Sequence, residues 1–238
     1  MYFTKMTDRI LENNGTIDKY MGDAVMAFWN APLDDPEHAR HCCDAALEMI
    51  DGMAKLNINL TREADQEDRT HTPMQIGIGL NTGDCLVGNF GSEHRLNYSV
   101  MGDAVNVASR LEGQMKTYGT TIVFGNQTQQ QAPEYASLEL DLIQVKGRSE
   151  PERIFALLGR PAMAESPEFI AHKQNHDALL QAYRGQDWDK ARELVTLCRE
   201  SDQYNLEMLY DVYEGRITEY SSTEAIANWD GVYVALEK

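Results

Sequence analysis

The stretch NYSVMGDAVNVASRLEG, residues 97 to 113, places Asn106 and Arg110 four residues apart on a predicted helix over 103–116. That spacing sets an amide and a fork-shaped cation side by side on one face, with Val105, Ala108 and Leu111 supplying apolar contacts. Such a pair suits a polar, anionic ligand, although a solvated helix face reads the same way from this segment alone. A second candidate is Asp23, in the Gly22-Asp23 turn of GTIDKYMGDAVMAFW. The runs 16–21 and 24–29 on either side read as strands of a tight hairpin. Taken alone, that aspartate is equally a turn support and a metal ligand. The stretch VKGRSEP carries two further cations, Lys146 and Arg148, the latter reading as a loop cation beside Glu150. The glycines of GIGLNTG have the wrong spacing for a dinucleotide fingerprint and run into a strand, and no GxxxxGK[ST] occurs. His38, His41 and Cys42 share one helix, but no second ligand cluster comes after them at a zinc-site spacing.

These candidates sit in an acidic chain. Its 238 residues carry 21 Lys and Arg against 38 Asp and Glu, a formal charge of -17. That field repels nucleic acid and anionic lipid, so a phosphate ligand must be held by a few placed cations or by metal ions. The 42% hydrophobic content is enough for a buried core. Cys42, Cys43, Cys85 and Cys198 have no CxxC spacing and fit a reduced, cytoplasmic setting. No run approaches a membrane span and no signal pattern opens the chain.

The elements that must position the candidates are set by periodicity. Phe3, Met6, Ile10 and Leu11 mark a first helix ended by Asn14-Gly15. Asp35 as N-cap and Pro36 at the first helical position open a second, carried by Ala39, Cys42, Ala46, Met49, Ile50 and Met53. The polar run 61–73 reads as a solvated loop. MQIGIGLNTGDCLVGNFG reads as two strands around a turn near Thr82-Gly83-Asp84. After helix 103–116 come a strand at 121–124, a short helix, and two strands around VKGRSEP. This order predicts an α+β domain over residues 1–160, an antiparallel sheet covered by helices on one face. Residues 161–238 turn helical. ALLQAYRGQDWDKARELV resembles one degenerate tetratricopeptide-like unit, which cannot bury its own apolar face and must pack on the first domain or another chain. Residues 165–238 hold 15 acidic and 7 basic side chains, a balance of -8. The apolar run in the closing WDGVYVALEK is fit to dock as a short strand.

GTIDKYMGDAVMAFW, IGIGLNTGDCLVGNFGSEHRLNYSVMGDAVNVASRLEG and VKGRSEPERIF, in that order, resemble signatures of the class III adenylate/guanylate cyclase catalytic domain, over residues 1 to about 158. The helical tail with its WDGV ending is similar to the segment C-terminal to that domain in bacterial members with a membrane-anchored sensor upstream. The resemblance implies a ferredoxin-like antiparallel sheet and the conversion of ATP to cyclic AMP and diphosphate by a two-metal mechanism with Mg²⁺ or Mn²⁺. Asp23 then matches a metal ligand, Arg110 the arginine that stabilises charge on the α-phosphate, Asn106 the ribose-orienting asparagine and Lys146 the lysine on the terminal phosphates. Lys19 matches the base-selecting position, and its ammonium suits the N1 acceptor of adenine, whereas guanine carries a hydrogen there. Ser99 holds the partner position, where many adenylate cyclases have Asp and some bacterial ones Thr. Its hydroxyl, both donor and acceptor, discriminates weakly.

The resemblance also implies a head-to-tail homodimer whose sites draw metal aspartates from one protomer and lysine, asparagine and arginine from the other. The connector FGSEHRLNY, residues 90 to 98, is expected at that interface because Phe90, Leu96 and Tyr98 are apolar or aromatic in a polar stretch. In the family the first metal aspartate lies on a strand preceding the helix with which this chain begins. The expectation is therefore an N-terminally truncated cyclase, inactive as a fragment and lacking a central strand. A guanylate cyclase and a non-catalytic regulatory or dimerisation module with a partner-binding tail are the alternatives.

Overall fold

The computed structural model describes residues 2–144, 151–222, 229 and 231–234. Helix α1 (Tyr2–Glu12) buries Met6 and Ile10 and ends at Asn14, whose φ of 61° makes the left-handed exit, with the Gly15 amide donating to the Ile10 carbonyl. Strands β1 (Thr16–Met21) and β2 (Ala24–Phe28) form the expected hairpin, with Met21 opposite Ala24 and Gly22 at a φ of 64° that glycine adopts without strain. The ladder carries a bulge at Asp18, since Ile17 faces Ala27 while Lys19 faces Met26.

Helix α2 (His38–Gln66) packs Met53 and Leu56 on Met6, and Ala39, Cys43 and Ala46 on the sheet. Two readings change here. The helix begins at His38 rather than Pro36; Asp35 stays in the entry turn, accepting from the Glu37 amide at 3.1 Å and pairing with His41 at 2.7 Å. It also continues into the segment expected as loop, as far as Gln66, with residues 67–73 remaining outside it. TREADQ is polar but made mostly of good helix formers, with Ala64 buried, so polarity there marks a solvated helix.

Strand β3 (Ile78–Leu80) and strand β4 (Leu86–Ser92) do not pair around Thr82-Gly83-Asp84 as expected. β4 instead pairs with β5 (Arg95–Met101) over seven residue pairs, forming a separate hairpin. Then come α3 (Asp103–Tyr118), β6 (Ile122–Gly125), α4 (Asn126–Gln131), β7 (Ala136–Gln144), β8 (Glu152–Gly159), α5 (Pro161–Ala164), α6 (Pro167–Arg184), α7 (Trp188–Glu200), α8 (Glu207–Ser221) and β9 (Tyr233–Val234). The main sheet has the order β3-β6-β8-β7-β9. Its centre is antiparallel, and its edge pairs β3–β6 and β7–β9 are parallel. The closing segment thus docks as a strand.

The helices after Pro161 bury their apolar face against this sheet. One core cluster joins Val107, Leu111 and Tyr118 of α3 and Leu138 and Leu140 of β7 to Leu179, Tyr183, Leu194, Leu209, Tyr210, Tyr213 and Ile217. Polar links cross the same seam. Asp141, at a β7 bulge, accepts from Tyr118 at 2.7 Å and Arg216 at 2.6 Å through one oxygen and from the Leu142 amide at 2.8 Å through the other. Tyr213 donates to the Leu140 carbonyl at 2.7 Å, and His176 Nε2 donates to the Glu139 carbonyl at 2.7 Å.

Burial drives His176 down to about 4, against the opposing effect of its bond to Glu139, and lowers His172 as well. The unfolded chain binds a proton at His176 near pH 6.5 and the folded chain does not until about 4. Stability at this site is therefore whole above about pH 6.5 and declines as pH falls toward 4, by roughly 3 kcal/mol at the acid end. Thermal melts between pH 7.5 and 4.5 should show this loss, and His176→Phe should flatten the slope relative to the unsubstituted chain.

Candidate active site

Of the proposed site residues, Lys19, Asp23, Ser99, Asn106 and Arg110 stand on the β1–β2 hairpin, β5 and α3. The hairpin is held from both sides: Phe3 of α1 meets Tyr20 edge-on with centroids 4.9 Å apart, and Phe28 meets Tyr98 of β5 at 6.0 Å. At its tip Asp23 is exposed in the Gly22-Asp23 turn, close enough to Tyr2 that burial first and the Asp23 carboxylate second push the Tyr2 hydroxyl up. Among the described residues no group of three His, Cys, Asp or Glu side chains could hold a metal ion. Asp23 therefore offers one carboxylate and not a donor set.

The base-reading candidates are brought together by a residue that the sequence did not single out. Ser99 Oγ donates to Asp18 Oδ2 at 2.8 Å, and Lys19 Nζ lies 3.5 Å from the same oxygen. Ser99 is buried and the Asp18 side chain is 1% exposed, while the Lys19 side chain is 49% exposed. Strict alternation would send Asp18 and Lys19 to opposite faces of β1, but the bulge breaks it. The adjacent acid-base pair in TIDKYM was the available signal.

Helix α3 buries Ala104, Val107, Leu111 and Tyr118 and presents Asn106 and Arg110 to solvent. Val105 and Ala108, expected as contacts, are only partly buried. The helix can lie flat on β3 because Gly79 has no side chain; a Cβ there would sit 2.1 Å from the Ala108 carbonyl oxygen. Gly119, at a φ of 68°, terminates it. Neither Asn106 nor Arg110 has a side-chain hydrogen bond or ion pair among the described residues, and no direct bond links them to Lys19, Ser99 or Asp23. Lys146 and Arg148 lie outside the described residues, between β7 and β8.

The structure thus presents an α+β body with a turn-borne aspartate, a lysine and a serine joined by one carboxylate, and an asparagine–arginine helix face. Residues 2–159 match the model of the adenylate and guanylate cyclase catalytic domain, and the chain belongs to that family. It is 36% identical over 159 residues to Adenylate cyclase 1 of Rhizobium meliloti, a match spanning 66% of this chain and 23% of that protein's length. A guanylyl cyclase crystal structure superposes with a TM-score of 0.58 at 32% identity, covering 67% of this chain and 77% of the other. The adenylyl cyclase CyaB from P. aeruginosa gives 0.53 at 29%, covering 66% and 78%. Among the described residues no helix is long and apolar enough to cross a membrane.

Proposed function

We propose that this chain supplies the base-reading and phosphate-stabilising residues of an adenylate cyclase, an enzyme that closes ATP to 3′,5′-cyclic AMP with release of diphosphate. Relatives of both nucleotide specificities are similar to it, so the family alone does not choose between ATP and GTP. The observation that carries the choice is the half-exposed Lys19 ammonium, which shares an Asp18 oxygen with the Ser99 hydroxyl. A lysine donor complements N1 of adenine and opposes the N1–H of guanine.

In this reading Asn106 orients the ribose so that its 3′-oxygen faces the α-phosphorus, and Arg110 stabilises the charge that develops on the α-phosphate as the bond to diphosphate breaks. Both are available for that role on the solvent face of α3. Lys146 is assigned to the terminal phosphates. A Mg²⁺ or Mn²⁺ accompanying the triphosphate would take Asp23 as one ligand, and the described residues do not complete a site around it. That lone carboxylate favours a second reading, in which the chain holds ATP as a regulatory module without turning it over.

Residues of the proposed site come from two protomers, and the β4–β5 hairpin offers the surface to join them. It exposes Leu86, Leu96, Tyr98 and Met101, an apolar set suited to a partner's face. Sedimentation should show a concentration-dependent dimer that Leu96→Asp weakens by about tenfold or more, the effect of burying an unpaired charge; an unchanged equilibrium would remove the hairpin from the interface. The nucleotide assignment is tested by titrating the 238-residue chain with a fluorescent ATP analogue in Mn²⁺ buffer. Saturable binding displaced by ATP is expected, and absence of binding would refute both readings.

A further inference from the structure

The geometry points to Asp18 as a specificity-positioning residue, a buried carboxylate that commits the Ser99 hydroxyl to act only as an acceptor toward the base. This inference rests on the ATP-reading assignment above and deepens it.

A serine hydroxyl is ambivalent. It accepts from the 6-amino group of adenine as readily as it donates to the 6-oxygen of guanine, so Ser99 by itself cannot separate the two purines. The structure removes the ambivalence. Ser99 has one proton, and it is spent on Asp18 Oδ2 at 2.8 Å. A carboxylate only accepts, so the hydrogen on that bond must come from Ser99. What Ser99 presents elsewhere is a lone pair, which matches an amine and repels a carbonyl oxygen. The same Asp18 oxygen stands 3.5 Å from Lys19 Nζ and draws the ammonium toward Ser99, leaving its other protons for an acceptor such as adenine N1.

The bulge makes this arrangement possible. Because Ile17 faces Ala27 and Lys19 faces Met26, Asp18 is left without a cross-strand partner and turns inward to β5, where Ser99 sits opposite Gly88. A side chain 1% exposed and bearing a carboxylate is expensive to keep unless it is hydrogen-bonded. Here the partners are the two residues assigned to the base. An aspartate beside Lys19 thus does from β1 what a carboxylate at position 99 would do from β5.

The test is displacement of a ribose-labelled fluorescent ATP analogue from the 238-residue chain by ATP, GTP and inosine triphosphate, whose base differs from adenine only at the 1- and 6-positions. The unsubstituted chain should prefer ATP to inosine triphosphate. Asp18→Asn, which keeps the shape but lets the amide donate, should compress that preference by about tenfold, mainly through weaker ATP binding. In a Ser99→Ala background the same substitution should change the ratio far less, because the hydroxyl it acts on is gone. Melting curves of each variant separate folding from reading, since a merely structural role would weaken all three nucleotides together. An unchanged ratio in Asp18→Asn, equal losses for ATP and inosine triphosphate, or a full-sized effect persisting in Ser99→Ala would overturn the role of Asp18 while leaving the ATP assignment standing. A chain that binds no nucleotide, or shows no preference, would overturn both.

Discussion

Lys19→Glu should lower the affinity of the chain for ATP by about a hundredfold while changing GTP binding by no more than a few-fold. The substitution turns the donor facing adenine N1 into an acceptor, so two lone pairs would meet where a hydrogen bond had been. It also sets a second carboxylate against Asp18, whose Oδ2 lies 3.5 Å from the native ammonium. A fully enclosed mismatch of this kind reaches roughly 10⁴-fold. The Lys19 side chain is 49% exposed, however, so water relieves part of the conflict and the smaller figure applies. Guanine presents a donor at the same position, which a carboxylate accepts, and that gain offsets the general loss of positive charge near the triphosphate. Lys19→Gln should fall between the two. Equal losses for both nucleotides would show that Lys19 attracts phosphate and does not read the base.

The second large effect concerns stability. Arg216→Met should destabilise the chain by about 3 kcal/mol, lowering the melting temperature by about 10 °C. Asp141 and Arg216 are 1% and 7% exposed at the side chain, and the guanidinium closes on the carboxylate at 2.6 Å. Removing the cation leaves a buried carboxylate that keeps Tyr118 and the Leu142 amide as donors, which holds the cost at the lower end for a broken buried pair. Replacing both partners, as Asp141→Leu with Arg216→Met, should recover a good part of the loss, because the uncompensated charge disappears. The pair also joins elements that matter to the site. Tyr118 closes α3, the helix of Asn106 and Arg110, and β7 leads toward Lys146, while Arg216 belongs to α8. A melting temperature within about 2 °C of the original would mean that apolar packing alone holds the helical segment.

The range of each interaction decided whether the sequence made it legible or hid it. The Gly22-Asp23 hairpin, helix α3, the helices after Pro161 and the docking of the closing segment were readable because turn chemistry and apolar spacing are local. The length of α2 was misjudged because a solvated helix extension has the same polarity as a loop. The separation of β3 from β4 was hidden because strand pairing is decided by the partner, and β5 offered seven-residue register where β3 had three residues. Asp18 was missed because a bulge changes which face a side chain takes without changing composition. Asp141, Arg216, His172 and His176 carry no local signal for a related reason: each is buried beside a partner distant in sequence. Lys19, Ser99, Asn106, Arg110 and Asp23 are proposed from motif resemblance, and the structure adds the carboxylate that joins the first two.

The most direct test of the central claim is the concentration of unlabelled ATP and of GTP needed to displace half of a bound fluorescent nucleotide from the 238-residue chain in Mn²⁺ buffer. A lysine donor paired with a serine fixed as acceptor predicts that ATP displaces at a concentration at least about tenfold lower than GTP. Displacement by GTP at the same or lower concentration would contradict the assignment of Lys19 and Ser99 to adenine, and with it the reading of this chain as part of an adenylate cyclase.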